Sequence, residues 1–244
     1  MAQPDPLRFT THPLIHLERP QPMLPGMNGL SLNDPDIIVI TFLSFVIATT
    51  IHEFMHAWTA NRLGDPTAKQ LGRITLNPAA HFDPLGLFGM ALISLGIPFI
   101  GWGKPVPVNT GNLGRDVRTR HRGMAIIALA GPVSNVVQAI VVGAIYQVLI
   151  RSGTDLGEFG IVFERFIYVN ALLAAFNMIP IPPLDGSRIL LALLPSFWYP
   201  ILAPIERYGF VVLILLIFLG GGAIVSGITN PMYDLVIRLA TWQT

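Results

Sequence analysis

Long runs without Asp, Glu, Lys or Arg are the feature of this sequence that most limits its fold. Such runs occupy residues 84–103, 123–150, 166–184 and 208–233, and residues 37–61 contain one formal charge, that of Glu53. About 20 apolar residues in a helix cross the roughly 30 Å hydrocarbon core of a bilayer. The whole chain has 52% hydrophobic and 12% charged residues. The pattern therefore predicts an all-α polytopic membrane protein.

The two ends of the chain differ from its centre. Residues 1–35 mix Pro, His, Arg and Asp and lack an apolar run of signal-peptide length, so we predict a tail that is disordered or bound at the surface. Residues 36–195 are expected to form a membrane-embedded core. Residues 196–244 are expected to form an interfacial segment followed by a transmembrane helix, because prolines interrupt the apolar run at 189–205.

Composition narrows both the partners and the metal chemistry. The net charge of +1 gives no electrostatic reason to bind nucleic acid, and we expect no such partner. The apolar runs make the lipid bilayer the surrounding medium. The chain has no Cys, so His, Asp and Glu remain as the available metal ligands.

Three polar residues stand together in the first apolar run. His52 and His56 are four positions apart, so on a helix both imidazoles project from one face and can hold a single Zn²⁺. Glu53 lies beside them, where its carboxylate can take a proton from water whose pKa the metal lowers to about 7. A charged group at the centre of a bilayer costs about 2.5–3.5 kcal/mol, so this trio calls for a compensating partner. A zinc ion accounts for all three residues.

Asp185 is the candidate for a third ligand, because catalytic zinc usually takes three protein ligands and a water. It follows the run 166–184, whose end contains three prolines. A broken helix frees backbone groups that are tolerated in a membrane only when they face protein or a water-filled cavity. The alternative is a solvated aspartate at a helix end, paired with Arg188.

Three motifs in order resemble one known family. They are HEFMH at 52–56, GPVSN at 131–135 and NMIPIPPLDG at 177–186, each in or next to an apolar run. Together they resemble the site-2 protease type of intramembrane zinc metalloproteases. The amino-acid sequence between residues 52 and 78 is similar to that of the compact bacterial branch of the family, which lacks appended PDZ and CBS domains.

The resemblance implies roles for individual residues. It implies a zinc ion held by His52, His56 and Asp185, with Glu53 as the general base and acid. Asn177 matches a position at which the family binds substrate or the developing oxyanion, and a packing or capping amide is its alternative. Asn135 is a second candidate for that role, with an interhelical hydrogen bond as the alternative.

The predicted function is hydrolysis of peptide bonds in or near transmembrane segments of membrane proteins. A zinc transporter is an alternative, because ZIP-type importers also carry His-Glu-x-x-His in a membrane helix. That family has a second metal motif that this sequence does not show. An inactive relative that binds membrane proteins is the other alternative, against which the intact Glu53 weighs.

Charge and ligand depth together predict a topology. Eight of the fifteen Lys and Arg lie in 62–122, which places this region in the cytoplasm by the positive-inside tendency. For the ligands to meet at one depth, 37–61 and 166–184 must run in the same direction, so only one run between them can cross. We assign the crossing to 123–150 and expect 84–103 to be re-entrant or interfacial.

The resulting expectation is about four transmembrane helices in a bacterial inner membrane, with the active site towards the cytoplasmic side. Two short pieces, 73–76 and 106–108, could form strands of a small β-hairpin or sheet at the membrane surface. In the family that the chain resembles, such a sheet receives the substrate as an added strand.

Overall fold

A computed structural model of the chain describes residues 35–97, 99, 101–198, 208–209, 211–213, 215 and 222–241. Its helices are α1 (Pro35–Arg62), α2 (Thr67–Gln70), α3 (Pro84–Ser94), α4 (Val117–Arg151), α5 (Gly160–Asn177), α6 (Asp185–Leu193) and α7 (Gly222–Thr241). This part of the chain contains no strand. For the described residues, the prediction of an all-α membrane protein is confirmed.

Three of these helices are long and apolar enough to cross a membrane. They are α1 with 28 residues, α4 with 35 and α5 with 18. The described ranges thus contain fewer spans than the expected four. The predicted fourth run, 208–233, falls partly outside those ranges, as does the interfacial run at 189–205. The predicted tail at 1–35 lies outside them except for Pro35.

The three long helices alternate in direction. Four hydrogen bonds between helices define this: they join His56 to Ile127, His52 to Asn135, Asn135 to Asn170 and Tyr146 to Glu164. Residue numbers fall along α1 as they rise along α4, and the same holds between α4 and α5. α1 and α5 therefore run in the same direction, and α4 is antiparallel to both. This is the arrangement expected if ligands at the ends of 37–61 and 166–184 are to meet at one depth in the membrane.

Two apolar clusters hold this arrangement together. Phe45, Met90 and Leu172 belong to a buried cluster shared by α1, α3 and α5. Ala139 and Val236 belong to another, shared by α4, α5 and α7. Small side chains in the second cluster allow close helix packing, which is the usual basis of helix association in membranes.

The prolines in 178–184 end α5 earlier than its apolar run ends. The helix stops at Asn177, whereas the run without charge continues to residue 184. Proline lacks a backbone donor and clashes with the preceding turn, so the helix cannot continue. The chain resumes as α6 at Asp185. α5 also begins earlier than the run, at Gly160, and so includes Glu164 and Arg165.

The segment 84–103 is a short helix with a returning chain. α3 has 11 residues, about 16 Å at 1.5 Å per residue, which is shorter than a bilayer core. The chain then passes back against it, since a Cβ on Gly101 would lie 2.6 Å from Met90 Cγ. Trp102 Nε1 donates to Asp83 Oδ2, 3.0 Å away, at the start of α3. This path suits the re-entrant or interfacial segment expected there.

Neither segment considered as a strand forms one in the structure. Residues 73–76 and 106–108 are irregular, and the predicted hairpin is not confirmed. A side chain links these parts of the chain instead of backbone pairing: Arg73 donates from Nη2 to Lys104 O (2.5 Å) and from Nη1 to Pro105 O (3.2 Å). Pro105 and Pro107 have no N–H to donate to a ladder, which disfavours a strand here.

Candidate metal centre

Two imidazoles and one carboxylate meet where α1 faces the start of α6. His52 Nε2 and His56 Nε2 are 2.9 Å apart. Asp185 Oδ2 lies 3.2 Å from His52 Nε2 and 3.3 Å from His56 Nε2. Both histidines are buried and Asp185 is partly buried. The structure thus brings together the three residues that the sequence analysis named as ligands, from positions more than a hundred residues apart.

The other nitrogen of each imidazole decides which atoms face the centre. His52 Nδ1 lies 2.6 Å from Asn135 Oδ1, and His56 Nδ1 lies 2.7 Å from Ile127 O. Carbonyl oxygens only accept hydrogen bonds, so each Nδ1 is the donor and each neutral Nε2 keeps a bare lone pair. Within the described residues no hydrogen-bond donor reaches Asp185 Oδ2. Three electron-rich atoms facing one another repel, and a divalent cation among them relieves that repulsion.

The donor set and its spacing fit zinc. A tetrahedral zinc ion about 2.0–2.1 Å from each ligand separates neighbouring ligand atoms by about 3.3 Å. The three distances here are 2.9, 3.2 and 3.3 Å. Two histidines and one carboxylate are also a known ligand set of catalytic zinc, with the fourth position left for water or substrate.

Glu53 lies beside the ligands with part of its carboxylate uncommitted. Its side chain is buried, and no group in the described part of the chain hydrogen-bonds to Oε2. The chain returning from α3 covers it, because a Cβ on Gly103 would lie 2.9 Å from Glu53 Oε1. A buried carboxylate oxygen without a partner is costly, so it is suited to accept a hydrogen bond from a bound water.

Gly131 allows α4 to approach the imidazoles closely. A Cβ at this position would lie 2.5 Å from both Cε1 and Nε2 of His56 and 2.6 Å from His52 Cε1. These distances are shorter than any van der Waals contact. The first glycine of the motif at 131–135 therefore has a steric role, which allows α4 to lie against both imidazoles.

The two candidate asparagines lie in different surroundings. Asn135 contacts a ligand, since its Oδ1 accepts from His52 Nδ1. It thus makes the interhelical hydrogen bonds that were its alternative, and its role in binding substrate or oxyanion stays a prediction. Asn177 Nδ2 donates to Leu173 O of its own helix, 3.0 Å away. A role for Asn177 in binding substrate or oxyanion stays a prediction.

Asn170 is a residue that the sequence analysis missed. It is fully buried in α5, and its Oδ1 accepts from Asn135 Nδ2 at 2.9 Å. The sequence did hold a signal, because an amide within the charge-free run 166–184 needs a hydrogen-bond partner on another helix.

Comparisons with known proteins agree with this site. The family model for peptidase family M50 matches residues 154–220, which contain Asp185. A candidate zinc metalloprotease of Bacillus subtilis, YwhC, is 34% identical over 207 residues, or 81% of this chain and 89% of that protein. A candidate zinc metalloprotease of Mycolicibacterium smegmatis, Rip2, is 29% identical over 74% of this chain and 67% of its own length.

A third relative comes from an archaeon. The candidate zinc metalloprotease MJ0611 of Methanocaldococcus jannaschii is 30% identical over 64% of this chain and 73% of its own length. No solved structure gives a significant match. These relatives favour the protease over the zinc transporter. The membrane helices, the zinc-fitting ligand set and the extent of the match to YwhC together show that the chain belongs to peptidase family M50, the site-2 protease family of intramembrane zinc metalloproteases.

Proposed function

We propose that this protease cleaves peptide bonds in or near transmembrane segments of membrane proteins, with zinc held by His52, His56 and Asp185. The observation that carries the proposal is the meeting of two bare Nε2 atoms and one carboxylate oxygen at a shared point. Glu53 lies next to His52 on α1, nine residues or about 13 Å before the end of the helix at Arg62. The site therefore lies below the end of a membrane-crossing helix, where a lipid-embedded segment can reach it.

The chain's own residues divide the work of hydrolysis. When bound, zinc supplies a Lewis acid for the scissile carbonyl and lowers the pKa of water beside it to about 7. Glu53 takes the proton of the attacking water at its uncommitted Oε2 and passes it to the leaving amine. Asp185 and the two histidines hold the metal and keep it at the depth of Glu53. Asn177 remains a candidate for contacts to the substrate backbone.

The substitution Glu53→Gln tests this division. It keeps the shape of the side chain and all three ligands, so we expect zinc at the parental stoichiometry but cleavage reduced by at least about 100-fold, the lower range for loss of a general base. The measurements are zinc content by mass spectrometry and cleavage, in liposomes, of a single-span membrane peptide selected for cleavage by the parent.

Two further variants complete that experiment. Asp185→Ala is expected to lose both zinc and cleavage, because it removes a ligand. Glu164→Gln, the matched control, changes a carboxylate that accepts from Tyr146 at 2.8 Å near the start of α5, at the opposite end of this helix from Asp185, and should retain both. Cleavage that persists in Glu53→Gln would remove the residue from its proposed role, and zinc that persists in Asp185→Ala would remove this ligand.

The topology belongs to the same proposal. We infer four crossings, with the fourth in 208–233, and a core at 36–195 followed by a separate C-terminal region at 196–244. The basic residues of 62–122 support a cytoplasmic position for the mouth of the site in a bacterial inner membrane.

A further inference from the structure

A chain of three hydrogen bonds connects α5 through α4 to the proposed metal centre. Asn170 Nδ2 donates to Phe166 O (2.9 Å), and Asn135 Nδ2 donates to Asn170 Oδ1 (2.9 Å). His52 Nδ1 then donates to Asn135 Oδ1 (2.6 Å). Asn135 and Asn170 are both completely buried. The metal ligand is thus coupled to a residue two helices away that touches no ligand itself.

The direction of this chain is fixed at its far end. The backbone carbonyl of Phe166 can only accept, so Asn170 must turn its NH₂ group towards it and its Oδ1 towards α4. Asn135 must then present Nδ2 to Asn170, where Ala48 O (3.4 Å) is a second acceptor, and Oδ1 to the imidazole. An imidazole that faces Oδ1 must carry its proton on Nδ1. Nε2 of His52 is therefore left unprotonated, as a metal ligand has to be.

Burial makes the chain sensitive to the loss of any member. A buried amide without its partner costs far more than an exposed one, so each group holds the next in one orientation. If the carboxamide of Asn170 were absent, Asn135 could turn over and place its NH₂ group against His52 Nδ1. The favoured tautomer would then place the proton on Nε2, where it competes with the metal.

We propose that Asn170 is a positioning residue of the zinc centre, which acts through Asn135 to hold His52 in the tautomer that binds metal. The proposal rests on the proposed role of His52 as a zinc ligand. It assigns to α5 a part in setting metal affinity in addition to packing.

Zinc affinity of the full-length protein in detergent tests this, measured as a Kd by competition with a chromophoric chelator. Asn170→Leu removes both amide groups at similar volume, and we expect its Kd to rise about 10-fold, the lower end for outer-shell partners of metal ligands. Asn170→Asp should restore most of the affinity as the protonated acid, whose hydroxyl can donate to Phe166 O while its carbonyl oxygen faces Asn135 Nδ2. Thr41→Val is the matched control, because it loses a buried hydrogen bond to Ile37 O on α1, away from the site.

A double-mutant cycle separates positioning from general destabilisation. Asn135→Leu should raise the Kd by about 10- to 100-fold, and adding Asn170→Leu should raise it no further, because the second residue acts through the first. Multiplicative effects in the double variant would overturn the proposal, as would an Asn170→Leu Kd equal to that of Thr41→Val. If Asn170→Leu does not fold, Asn170→Ser takes its place, because its hydroxyl can bond Phe166 O but is too short to reach Asn135.

Two other measurements keep this proposal distinct from the ligand assignment. His52→Ala is titrated alongside: parental affinity there overturns the ligand set, and the proposal with it. Lost zinc in His52→Ala combined with a parental Kd in Asn170→Leu overturns the role of Asn170 alone. The visible spectrum of the Co²⁺-loaded protein should change in Asn170→Leu and stay parental in Thr41→Val, and an unchanged spectrum in both contradicts positioning.

Discussion

A methyl group at position 131 would occupy the space in which the two imidazoles lie. We expect Gly131→Ala to move the rings of His52 and His56 apart or push α4 away, because its Cβ would approach them to 2.5–2.6 Å. The affinity for zinc should fall at least about 10-fold, comparable to the effect of removing an outer-shell partner of a metal ligand. Cleavage should be lost as well.

A second glycine provides the control for that substitution. Gly227 in α7 has nothing within 4 Å of an added Cβ, so Gly227→Ala should bind zinc like the parent. Zinc content per chain after dialysis against a weak chelator compares the two variants. Parental zinc in Gly131→Ala would show that the close approach of α4 is not required.

Residues that carry chemistry were easier to predict than those that support them. The spacing of His52 and His56 on one helix, and the proline break before Asp185, indicate ligands without knowledge of the fold. Gly131 carries no such local signal, and the amide of Asn170 indicates only that a partner is needed, without saying which one. Their roles depend on which backbone or side-chain group lies opposite them across a helix interface. The local sequence does not determine which helices pack together.

At the scale of elements, Gly143 sets the distance between α4 and α7. A Cβ there would collide with Ala240 O and lie 2.7 Å from its carbonyl carbon. We expect Gly143→Ala to lower the free energy of unfolding by about 1–3 kcal/mol, the usual cost of overpacking. Zinc stoichiometry should stay parental, because α7 lies outside the site. Thermal unfolding in detergent and zinc content measure the two effects. A variant with parental stability, or with lost zinc, would contradict this division.

The turn after α1 depends on a single buried carboxylate. Asp65 accepts hydrogen bonds from Asn109 N (2.7 Å), Asn112 Nδ2 (2.7 Å) and Thr67 Oγ1 (2.6 Å). Burial tends to raise the pKa of this carboxyl, but the hydrogen bonds outweigh it and the pKa is lowered. It joins the end of α1 to the segment that leads into α4.

A lowered pKa gives this anchor a defined pH dependence. The carboxylate stabilises the fold above its unfolded pKa of about 3.9, and the contribution is lost as the pH falls through the folded pKa. At pH 7 we expect metal-free Asp65→Asn to be about 1–3 kcal/mol less stable than the metal-free parent, with the gap closing below about pH 4. Melting temperatures between pH 7 and 3 check this, with exposed Asp155→Asn as control; a gap that widens in acid would contradict it.

The sequence predicted helices well where a long charge-free run is required to cross the lipid bilayer. The runs at 37–61 and 123–150 correspond closely to α1 and α4, because a charge-free run of that length has few other uses. α5 was misplaced at both ends. Charged residues near a membrane surface and a proline break inside an apolar run both separate the helix from the hydropathy signal. The hairpin was not confirmed because proline removes the donors that a ladder needs.

For the molecule as a whole, α4 lies between the surrounding lipid and the polar residues of the metal centre. One face exposes large apolar side chains at intervals of four: Val133, Val137, Val141 and Ile145. The opposite face buries Gly131, Asn135 and Ala139 against α1 and α5. An exposed apolar stripe of this length is suited to contact lipid. The polar chain to the metal centre is thereby shielded from the bilayer by the helix that carries part of it.

The length of α4 also makes the topology testable. Its 35 residues extend about 52 Å, more than a bilayer core, so we expect the exposed Thr110 before it and the exposed Thr154 after it to lie on opposite sides of the membrane. Since the chain has no native cysteine, Thr110→Cys and Thr154→Cys each report one side alone. In spheroplasts a membrane-impermeant maleimide should label Thr154→Cys at once and Thr110→Cys only after lysis. The reverse pattern would place the mouth of the site outside the cell, and labelling of both from outside would mean that α4 does not cross.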